Sequence, residues 1–440
     1  MNDWDFSPPP ESALRDRDVP LEGSHLDGKR IALLLTGGIA AIRSPLIARA
    51  LRRQSASVVV FATEEALRYT TLDALEWSSG NAVITRMTAA AEHISDNSPF
   101  DAYLLAPATY NTINKMAHGI ADSPVTTALA VGIGRMERGR SQLLFAPTMH
   151  GYLHNSLLTE SLHKLAKMGV RIIPPREDYG KHNIPSEESL VAEVCRTTSA
   201  SPLKGVPILV TGGPTPTPID NVRQISNRFT GQLGIEIATE IHLRGADVLL
   251  IHGTGKAQPH DWLPHNSARN YDEYHTNVMQ ALAEIPFAAG VFSAAVADYR
   301  TESVFPGKTP CTGAISLRLV PTEKIIGAVK TSFPELYIVT FKYQDNISHQ
   351  DLMEVARERV RAGYPLVVAN RGEDKGPHGE QVAHLVTDTG EAQRAIGKPA
   401  IALAIADHLE QALPPRTADT INSGRSLSPP SSAIQPVPGA

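Results

Sequence analysis

The sequence predicts two doubly wound α/β domains, each built on a mostly parallel sheet. Short apolar runs of strand length alternate with helical stretches, which is the pattern of a parallel sheet covered by crossover helices. The tripeptide Thr-Gly-Gly follows the first strand of each half, at 36–38 and at 211–213. Between these two copies the alternation stops in the segment TTSASPLK at 197–204, which predicts a domain boundary there.

The predicted elements run in the same alternating order in both halves. In the first half, the strands are 30–35, 57–62, 102–106 and 142–146, and the helices are 45–53 and 111–118. In the second half, the strands are 207–210, 247–252, 290–294, 315–320, 336–341, 365–369 and 382–387, and the helices are 231–243, 272–284, 349–361 and 399–412.

Composition limits the class of protein. The 440 residues carry a net charge of −5, which argues against a general binder of nucleic acids or anionic membranes. We find neither a signal-peptide pattern nor an apolar run of about 18 residues, so we expect a cytoplasmic protein outside the membrane. The two cysteines, Cys195 and Cys311, cannot form a disulfide framework or a four-sulfur zinc site. The predicted organisation is a disordered segment 1–28, a domain 29–196, a linker 197–204, a domain 205–413 and a disordered tail 414–440.

Two segments of the first half follow strands and are rich in small and hydroxyl residues. They are Thr36-Gly37-Gly38 and the run PATYNT at 107–112. Glycines in such turns let backbone N–H groups approach a phosphate, and a helix N-terminus favours negative charge. Open α/β sheets bind ligands at the carboxyl ends of their strands. We therefore expect a phosphate-bearing cofactor or nucleotide at this edge of each sheet.

The first half resembles the flavin-binding cysteine decarboxylase family, whose members bind FMN. The matching segments are TGGIAA at 36–41, AEHI at 91–94 and PATYNTINKMAHGIAD at 107–122. The resemblance covers 29–196 and implies a flavodoxin-like domain in which His93 is catalytic. It also implies a homo-oligomer, because flavin sites of this family form between subunits. The residues that it places against FMN are Gly37, Gly38, Ile39, Thr63, Ala108, Thr109 and Asn111.

Two departures from that family concern the decarboxylation step. His150 stands in Pro-Thr-Met-His where the family has asparagine, and a histidine offers different hydrogen bonds and reach. The segment PPREDYGKHNI at 174–184 contains no cysteine, whereas the family has a glycine-rich flap with one. These departures predict that decarboxylation is slow or absent.

The second half resembles the phosphopantothenate–cysteine ligase domain over 204–413. The matching segments are TGGPT at 211–215, PIDNVRQISNR at 218–228, TGQLG at 230–234 and AAVADYR at 294–300. The resemblance implies a Rossmann-like domain, and a flavin decarboxylase followed by this ligase is the order found in bifunctional enzymes of coenzyme A synthesis. It implies CTP-dependent ligation of 4′-phosphopantothenate with cysteine through an acyl-cytidylate, with Mg²⁺, and then FMN-dependent decarboxylation to 4′-phosphopantetheine.

The ligase resemblance also assigns residues. It implies catalytic roles for Asn227 and Lys308. The residues that it places against the nucleotide are Gly212, Gly213, Ala294, Asp298, Lys308, Phe341 and Arg359. Only Lys308 remains of the family's lysine cluster, and the charge could also come from Arg223, Arg269, Lys324 and Arg361.

Several alternatives stay open at this point. The residues do not assign protein ligands to the metal, and they do not decide between CTP and ATP. A ligase joined to an altered flavin domain is a second interpretation. A non-catalytic regulatory subunit that binds flavin and nucleotide is a third.

Overall fold

The computed structural model describes residues 5–8, 10–94, 97–311 and 313–414 of the chain. The chain divides into two compact units, an N-terminal unit that ends at Ser199 and a C-terminal unit that begins at Ala200. Within the described ranges, no helix is long and apolar enough to cross a lipid bilayer. The predicted disordered tail lies outside the described residues, apart from Pro414.

The N-terminal unit alternates strands and helices. Its strands are β1 Arg30–Leu35, β2 Ser57–Ala62, β3 Ala102–Ala108, β4 Gln142–Pro147, β5 Met149–His150, β6 Arg171–Ile172, β7 Arg176–Asp178 and β8 Lys181–Asn183. Its helices are α1 Ser44–Arg53, α2 Leu72–Ser79, α3 Tyr110–Ala117, α4 Pro124–Met136, α5 Ser156–Lys167 and α6 Glu187–Thr198.

The main sheet of this unit has five parallel strands in the order β2-β1-β3-β4-β6. This is the flavodoxin-like order, in which the chain direction across the sheet reverses between β1 and β3. The apolar runs are buried on both faces, as a parallel sheet covered by helices requires. Helix α1 shows how the sequence specifies a covering helix: Ile47, Ala48 and Leu51 are buried on one side, and Arg52 and Arg53 in the last turn favour its dipole.

Two predicted boundaries of this unit differ from the structure. The prediction of disorder over 1–28 is wrong from Val19 onwards, because Val19 and Leu26 are buried and the Leu26 amide donates to the Gln54 carbonyl at 2.9 Å. These two apolar side chains are buried near the end of α1, so this largely polar segment is ordered. The linker expected at 197–204 begins inside α6, whose last two residues are Thr197 and Thr198.

The C-terminal unit contains the remaining elements. Its strands are β9 Pro207–Gly212, β10 Pro214–Thr215, β11 Thr217–Pro218, β12 Gln224–Ile225, β13 Asp247–Gly253, β14 His265–Ala268, β15 Ala289–Phe292, β16 Ala295–Val296, β17 Tyr299–Thr301, β18 Leu319–Pro321, β19 Tyr337–Gln344, β20 Leu366–Arg371, β21 Val382–Val386 and β22 Gln393–Ile396. Its helices are α7 Gln232–Leu243, α8 Tyr271–Glu284, α9 Ile325–Ser332, α10 His349–Arg361 and α11 Lys398–Ala412.

The main sheet here has eight strands in the order β14-β13-β9-β15-β19-β20-β21-β22. The six strands from β14 to β20 are parallel, and β21 and β22 close one edge in antiparallel fashion. The order reverses between β9 and β15, so this sheet also has a switch point. The prediction of two doubly wound, mostly parallel domains is confirmed.

One predicted strand is largely wrong. Of the run 315–320, only its last two residues are extended, in the short strand β18, which pairs with β17 outside the main sheet. Ile315 and Leu317 are exposed, at 48% and 38% of their surface. The alternation of apolar and polar residues therefore marks an exposed ribbon segment rather than a strand that buries one face.

Candidate functional site

A cavity of about 860 Å³ lies in the N-terminal unit, at the carboxyl ends of its parallel strands. The segments that follow four strands line it: 36–40 after β1, Thr63 and Glu65 after β2, 109–112 after β3, and 148–150 after β4. The cavity therefore straddles the switch point between β1 and β3, which is where open α/β sheets bind ligands. Its volume is within the range of small-molecule and cofactor sites.

Two helix starts face this cavity without a side-chain cap. Gly38 precedes a 3₁₀ turn at Ile39–Arg43 and has no side chain that could cap it. Thr109 precedes α3, and its side chain accepts no hydrogen bond from the backbone of that helix. The Thr109 hydroxyl instead lies 3.2 Å from the hydroxyls of Thr36 and Thr112. Unsatisfied N–H groups at a helix start form a site for a phosphate or another anion.

The far wall of the cavity is a small antiparallel sheet, which we call the flap. It consists of β5, β8 and β7 and contributes Lys181, His182 and Asn183 to the lining. The His182 Nε2 atom lies 2.7 Å from His154 Nδ1, and its Nδ1 atom lies 3.7 Å from a Glu177 carboxylate oxygen. These two- and three-residue strands carry no periodic signal in the sequence, so they were not predicted as strands.

His150 lies in the flap, where its Nδ1 atom accepts a hydrogen bond from the Tyr152 amide at 3.3 Å. Its ring is 5.3 Å from the Tyr152 ring, and the side chain lines the cavity. Opposite it, Lys115 and Asp122 form an ion pair at 2.6 Å on the wall built by α3 and the following loop. The hydrogen bond from Lys115 lowers the pKa of Asp122, so this wall carries a fixed pair of opposite charges.

Most of the residues expected at the flavin lie together. The cavity is lined by Gly37, Gly38, Ile39, Thr63, Thr109 and Asn111. Ala108 is buried at the end of β3 and is not part of the lining. Flavin contact by any of these residues stays a prediction.

His93 does not line the cavity of its own unit. It lies in a turn and is half-buried, and its Nδ1 atom is buried with no hydrogen-bond partner among the described residues. Its catalytic role therefore stays a prediction, and within one chain the structure does not bring it to the other predicted residues.

In the C-terminal unit, Gly212 and Gly213 lie at the switch point between β9 and β15. A Cβ atom on Gly212 would be 3.0 Å from the Gly234 Cα atom, and one on Gly213 would be 2.9 Å from the backbone N and O atoms of Gly253. Gly213 also has a φ of +77°, which favours glycine. Both glycines are buried. They allow the end of β9 to contact the start of α7, and the residue after β9 to contact the end of β13, backbone to backbone. Their contact with a nucleotide stays a prediction.

Four charged side chains interact electrostatically around β19: two lie in loops, one on β19 and one on α10. Lys324 forms an ion pair with Asp298, and Arg359 donates to the Thr340 hydroxyl at 2.9 Å and to the Phe341 carbonyl at 3.1 Å. Burial lowers the pKa of Lys342, the charge of Arg359 lowers it further, and Asp298 acts in the opposite direction.

We call Asp298, Lys324, Lys342 and Arg359 the charged group. The sequence analysis named three of its members and missed Lys342. The position of Lys342 directly after the predicted nucleotide contact Phe341 could have indicated it. Three cations and one carboxylate make the group attractive to phosphates.

Two further predicted residues lie beside the same strand ends. The Asn227 side-chain amide donates to the Ala295 carbonyl at 2.8 Å, and the Ala294 amide donates to the Thr211 hydroxyl at 3.3 Å. Asn227 is exposed. The structure thus brings the loop that carries Asn227 to the segment that precedes Asp298, as the shared motif predicts for a single site.

Lys308 is exposed, and its loop makes hydrogen bonds to a different segment. The Asn221 amide donates to the Gly307 carbonyl at 3.0 Å, and the Thr309 amide donates to a carboxylate oxygen of Asp220 at 3.1 Å. The structure therefore does not place Lys308 in the charged group, and its role at the phosphates stays a prediction.

Asp220 organises this loop. Its buried carboxylate accepts hydrogen bonds from the amides of Val222 and Arg223 at 2.8 and 2.7 Å, in addition to the Thr309 amide and an Arg223 guanidinium at 2.8 Å. Burial acts to raise the pKa of Asp220, but the hydrogen bonds outweigh it and hold the pKa below its ordinary value. The ionised carboxylate therefore stabilises the loop fully at pH values above its ordinary pKa of about 3.9. This stabilisation is lost progressively as the pH falls below that value.

Asp220→Asn is expected to loosen the 219–223 and 303–309 segments, because an amide replaces one acceptor oxygen by a donor that faces other donors. Hydrogen exchange at neutral pH should show at least ~10-fold faster exchange in peptides from both segments, since an unpaired buried donor costs about 1–3 kcal/mol. Asp272→Asn, at an exposed aspartate of the same unit, is the matched control. Unchanged exchange in both segments would mean that Asp220 does not hold the loop.

Comparison with known proteins supports this division of the chain. Residues 21–199 match the flavoprotein family, and residues 203–413 match the DNA/pantothenate metabolism flavoprotein C-terminal domain. The coenzyme A biosynthesis bifunctional protein CoaBC of Thermococcus kodakarensis is 33% identical over 394 residues, which are 88% of this chain and 96% of that protein. The chain belongs to the CoaBC family. CoaBC of Escherichia coli is 30% identical over 367 residues, which are 78% of this chain and 86% of that protein.

Solved structures resemble the separate units. The DNA/pantothenate metabolism flavoprotein from Streptococcus pneumoniae is 23% identical and covers 47% of this chain and 100% of its own, with a TM-score of 0.42. The FMN-dependent cysteine decarboxylase SpaF is 22% identical and covers 37% of this chain and 93% of its own, with a TM-score of 0.32.

Membership of the CoaBC family confirms both resemblances seen in the sequence. The chain is a bifunctional enzyme of coenzyme A biosynthesis, with a ligase and a phosphopantothenoylcysteine decarboxylase activity, and its first half is a flavoprotein domain. A ligase without a working flavin domain and a non-catalytic regulatory subunit are therefore not favoured.

Proposed function

We propose that the C-terminal unit joins 4′-phosphopantothenate to cysteine at the expense of CTP, and that the N-terminal unit decarboxylates the product to 4′-phosphopantetheine with FMN. The observation that carries the proposal is the cavity at the β1/β3 switch point, where uncapped helix starts face a flap that contributes Lys181. The charged group around β19 supports the nucleotide-dependent half.

The cavity fits a flavin mononucleotide in size and in chemistry. The N–H groups that follow Gly38 and Thr109 would donate hydrogen bonds to the phosphate, and the threonine hydroxyls would orient the polar parts of the cofactor. FMN, when bound, takes up and returns an electron pair during the loss of CO₂. The flap would exclude water, and Lys181 would hold the anionic end of the substrate or a proton at its Nζ atom.

His93 completes this site only if it comes from a second copy of the chain. We therefore propose a homo-oligomer in which His93 of one subunit reaches the cavity of its neighbour and moves a proton at its imidazole. Two observations support this: His93 is not part of the cavity lining, and its Nδ1 atom lacks a partner among the described residues. A buried imidazole nitrogen without a partner is unusual unless it has a function.

In the ligase half, the carboxylate of 4′-phosphopantothenate attacks the α-phosphorus of CTP and releases pyrophosphate; the cysteine amine then attacks the acyl carbon and displaces CMP. Charge develops on the phosphate oxygens in the first step, and fixed cations there stabilise the transition state. We propose that the charged group, together with Lys308, supplies these cations, and that Asn227 contacts the acyl-cytidylate. Mg²⁺ would enter with the triphosphate, held by phosphate oxygens and water.

One experiment tests both halves. The purified chain, reconstituted with FMN and supplied with 4′-phosphopantothenate, cysteine, CTP and Mg²⁺, should release pyrophosphate and CO₂ in the same sample, and removal of cysteine should abolish CO₂ release. ATP in place of CTP, and omission of Mg²⁺, test the nucleotide and the metal. Absence of pyrophosphate release with either nucleotide would contradict the ligase proposal, and failure to retain FMN would contradict the flavin proposal.

His150→Asn is expected to raise the rate of CO₂ release, because an asparagine can both donate to and accept from a substrate carboxylate or amide. One positioned hydrogen-bonding group is worth ~10²–10³ in rate at the upper end, so we expect an increase of several-fold up to ~10². The substrate is 4′-phosphopantothenoylcysteine supplied directly, which makes the measurement independent of the ligase. His163→Asn, at an exposed histidine on α5, is the control. A wild-type rate that His150→Asn leaves unchanged or lowers would show that histidine serves this position.

A further inference from the structure

Two imidazoles and a carboxylate converge in the C-terminal unit, and none of the three is among the residues assigned above. His349 is the first residue of α10, Asp374 lies in the loop after β20, and His384 lies on β21. One ligand atom from each lies within 4.8 Å of the other two. Because the three side chains come from three elements, their convergence is a property of the fold and not of one local turn.

The carboxylate of Asp374 is only half satisfied. One oxygen accepts a hydrogen bond from the Arg371 guanidinium at 2.8 Å, which lowers the pKa of Asp374 and keeps it ionised. The other oxygen, Oδ2, is buried and has no hydrogen-bond partner among the described residues, and it lies 3.7 Å from His384 Nε2. A buried anionic oxygen without a partner is costly, so it indicates a missing cation or donor.

The two imidazoles lie close enough to share one ion. His384 is 7% exposed, whereas His349 is exposed. The two rings are 4.7 Å apart and nearly perpendicular, at 65°. Imidazole nitrogens at this distance can point their lone pairs at one ion.

We propose that His349, Asp374 and His384 bind a divalent transition metal ion of the Zn²⁺ class. Nitrogen and carboxylate ligands suit this class, and three protein ligands leave a fourth position open to water or a small anion. The hydrogen bond from Arg371 to the second carboxylate oxygen orients the ligand, as outer contacts of metal sites commonly do.

The geometry needs only a small adjustment. Zn²⁺ binds nitrogen and oxygen at about 2.0–2.2 Å, so tetrahedral ligand atoms lie about 3.3–3.5 Å apart. The widest separation here, 4.8 Å, must therefore close by roughly 1.5 Å. His349 is exposed and can rotate to close it, while the buried His384 stays fixed. The ion would tie the start of α10 to the loop after β20.

The test uses the full untagged chain, stripped with a chelator and dialysed. Co²⁺ titration should give visible absorption bands of tetrahedral coordination, and competition with a chromogenic chelator should show one tight Zn²⁺ equivalent per chain. His349→Ala and His384→Ala should each weaken this equivalent by at least ~100-fold, since loss of an outer contact alone costs ~10–100-fold. His378→Ala, at an exposed histidine of the same loop, should bind as the wild type does.

The variants separate metal binding from folding. His349 is exposed, so His349→Ala should keep the wild-type circular dichroism spectrum even if His384→Ala does not. Zn²⁺ should raise the melting temperature of the wild type and of His378→Ala, but not of His349→Ala. A wild type without a tight equivalent, or a His349→Ala variant that retains it, would overturn the proposal and leave these residues as an ion-pair network only.

Discussion

His93→Ala is expected to lower CO₂ release from 4′-phosphopantothenoylcysteine by ~10²–10⁴, because a positioned acid or base contributes about that much. FMN should stay bound, since His93 is not part of the cavity lining of its own unit. The measurement is the rate of CO₂ release together with the flavin absorption spectrum. His163→Ala, at an exposed histidine on α5, is the matched control and should keep the wild-type rate. A His93→Ala rate within threefold of the wild-type rate would show that His93 is not catalytic.

Mixed oligomers test whether His93 acts on a neighbour. Gly38→Val should block the cavity, because even a Cβ atom on Gly38 would lie 3.3 Å from Thr109 Cγ2. Subunits with Gly38→Val have a blocked cavity but keep His93, and subunits with His93→Ala lack that imidazole but keep an open cavity. If the site is shared, refolding or co-expressing the two inactive variants together should restore part of the decarboxylase rate. Continued inactivity of a mixture shown to be oligomeric would contradict action between subunits.

Lys308→Ala is expected to lower CTP-dependent pyrophosphate release by ~10²–10³, mainly in kcat, because a fixed cation stabilises charge that develops in the transition state. The flavin spectrum should not change, since the flavin site is expected in the other unit. Lys308 does not contact the charged group in this structure, so the prediction requires its loop to move when nucleotide binds. Lys375→Ala, at an exposed lysine of the same unit, is the control.

Lys342→Ala distinguishes the two possible sources of charge. Lys342 already lies within electrostatic reach of Arg359 and Asp298, so its loss should raise the KM for CTP as well as lower kcat. Wild-type rates in Lys308→Ala combined with a large loss in Lys342→Ala would transfer the proposed role to Lys342. Wild-type rates in both variants would exclude the charged group and the 302–311 loop as the phosphate site.

The sequence was sufficient for features that depend on long apolar runs. Strands such as β1 and β13 are buried on both faces, so a continuous run of Ile, Leu and Val marks them clearly. Helix α10 was predicted with its observed bounds because its apolar residues repeat at helical spacing and Ser348 caps its start. The strand order was not predicted, and it is the structure that places both Thr-Gly-Gly turns at switch points.

Features that depend on contacts distant in sequence could not be predicted. The flap strands β5, β7 and β8 are two or three residues long and carry no periodicity. The sequence therefore did not indicate Lys181 as a cavity residue. Lys342 occupies an ordinary strand position, and only the fold brings Arg359 and Asp298 beside it. Lys308 shows the opposite limit, since its spacing from Asp298 suggested proximity while hydrogen bonds to Asp220 hold its loop elsewhere.

The glycine contacts that join β9, β13 and the start of α7 leave these elements no room to move closer together, whereas other parts of the ligase half can adjust. A Cβ atom on Gly253 would lie 1.9 Å from the Pro214 carbonyl oxygen, and one on Gly234 would lie 2.6 Å from Gly212 Cα, so these backbones are already at their closest approach. Helix α7 therefore cannot move closer to the sheet when substrate enters or product leaves. We expect the segments around Asp220 and Lys308 to move instead, and turnover in this half should then be limited by that loop whenever release is slower than chemistry.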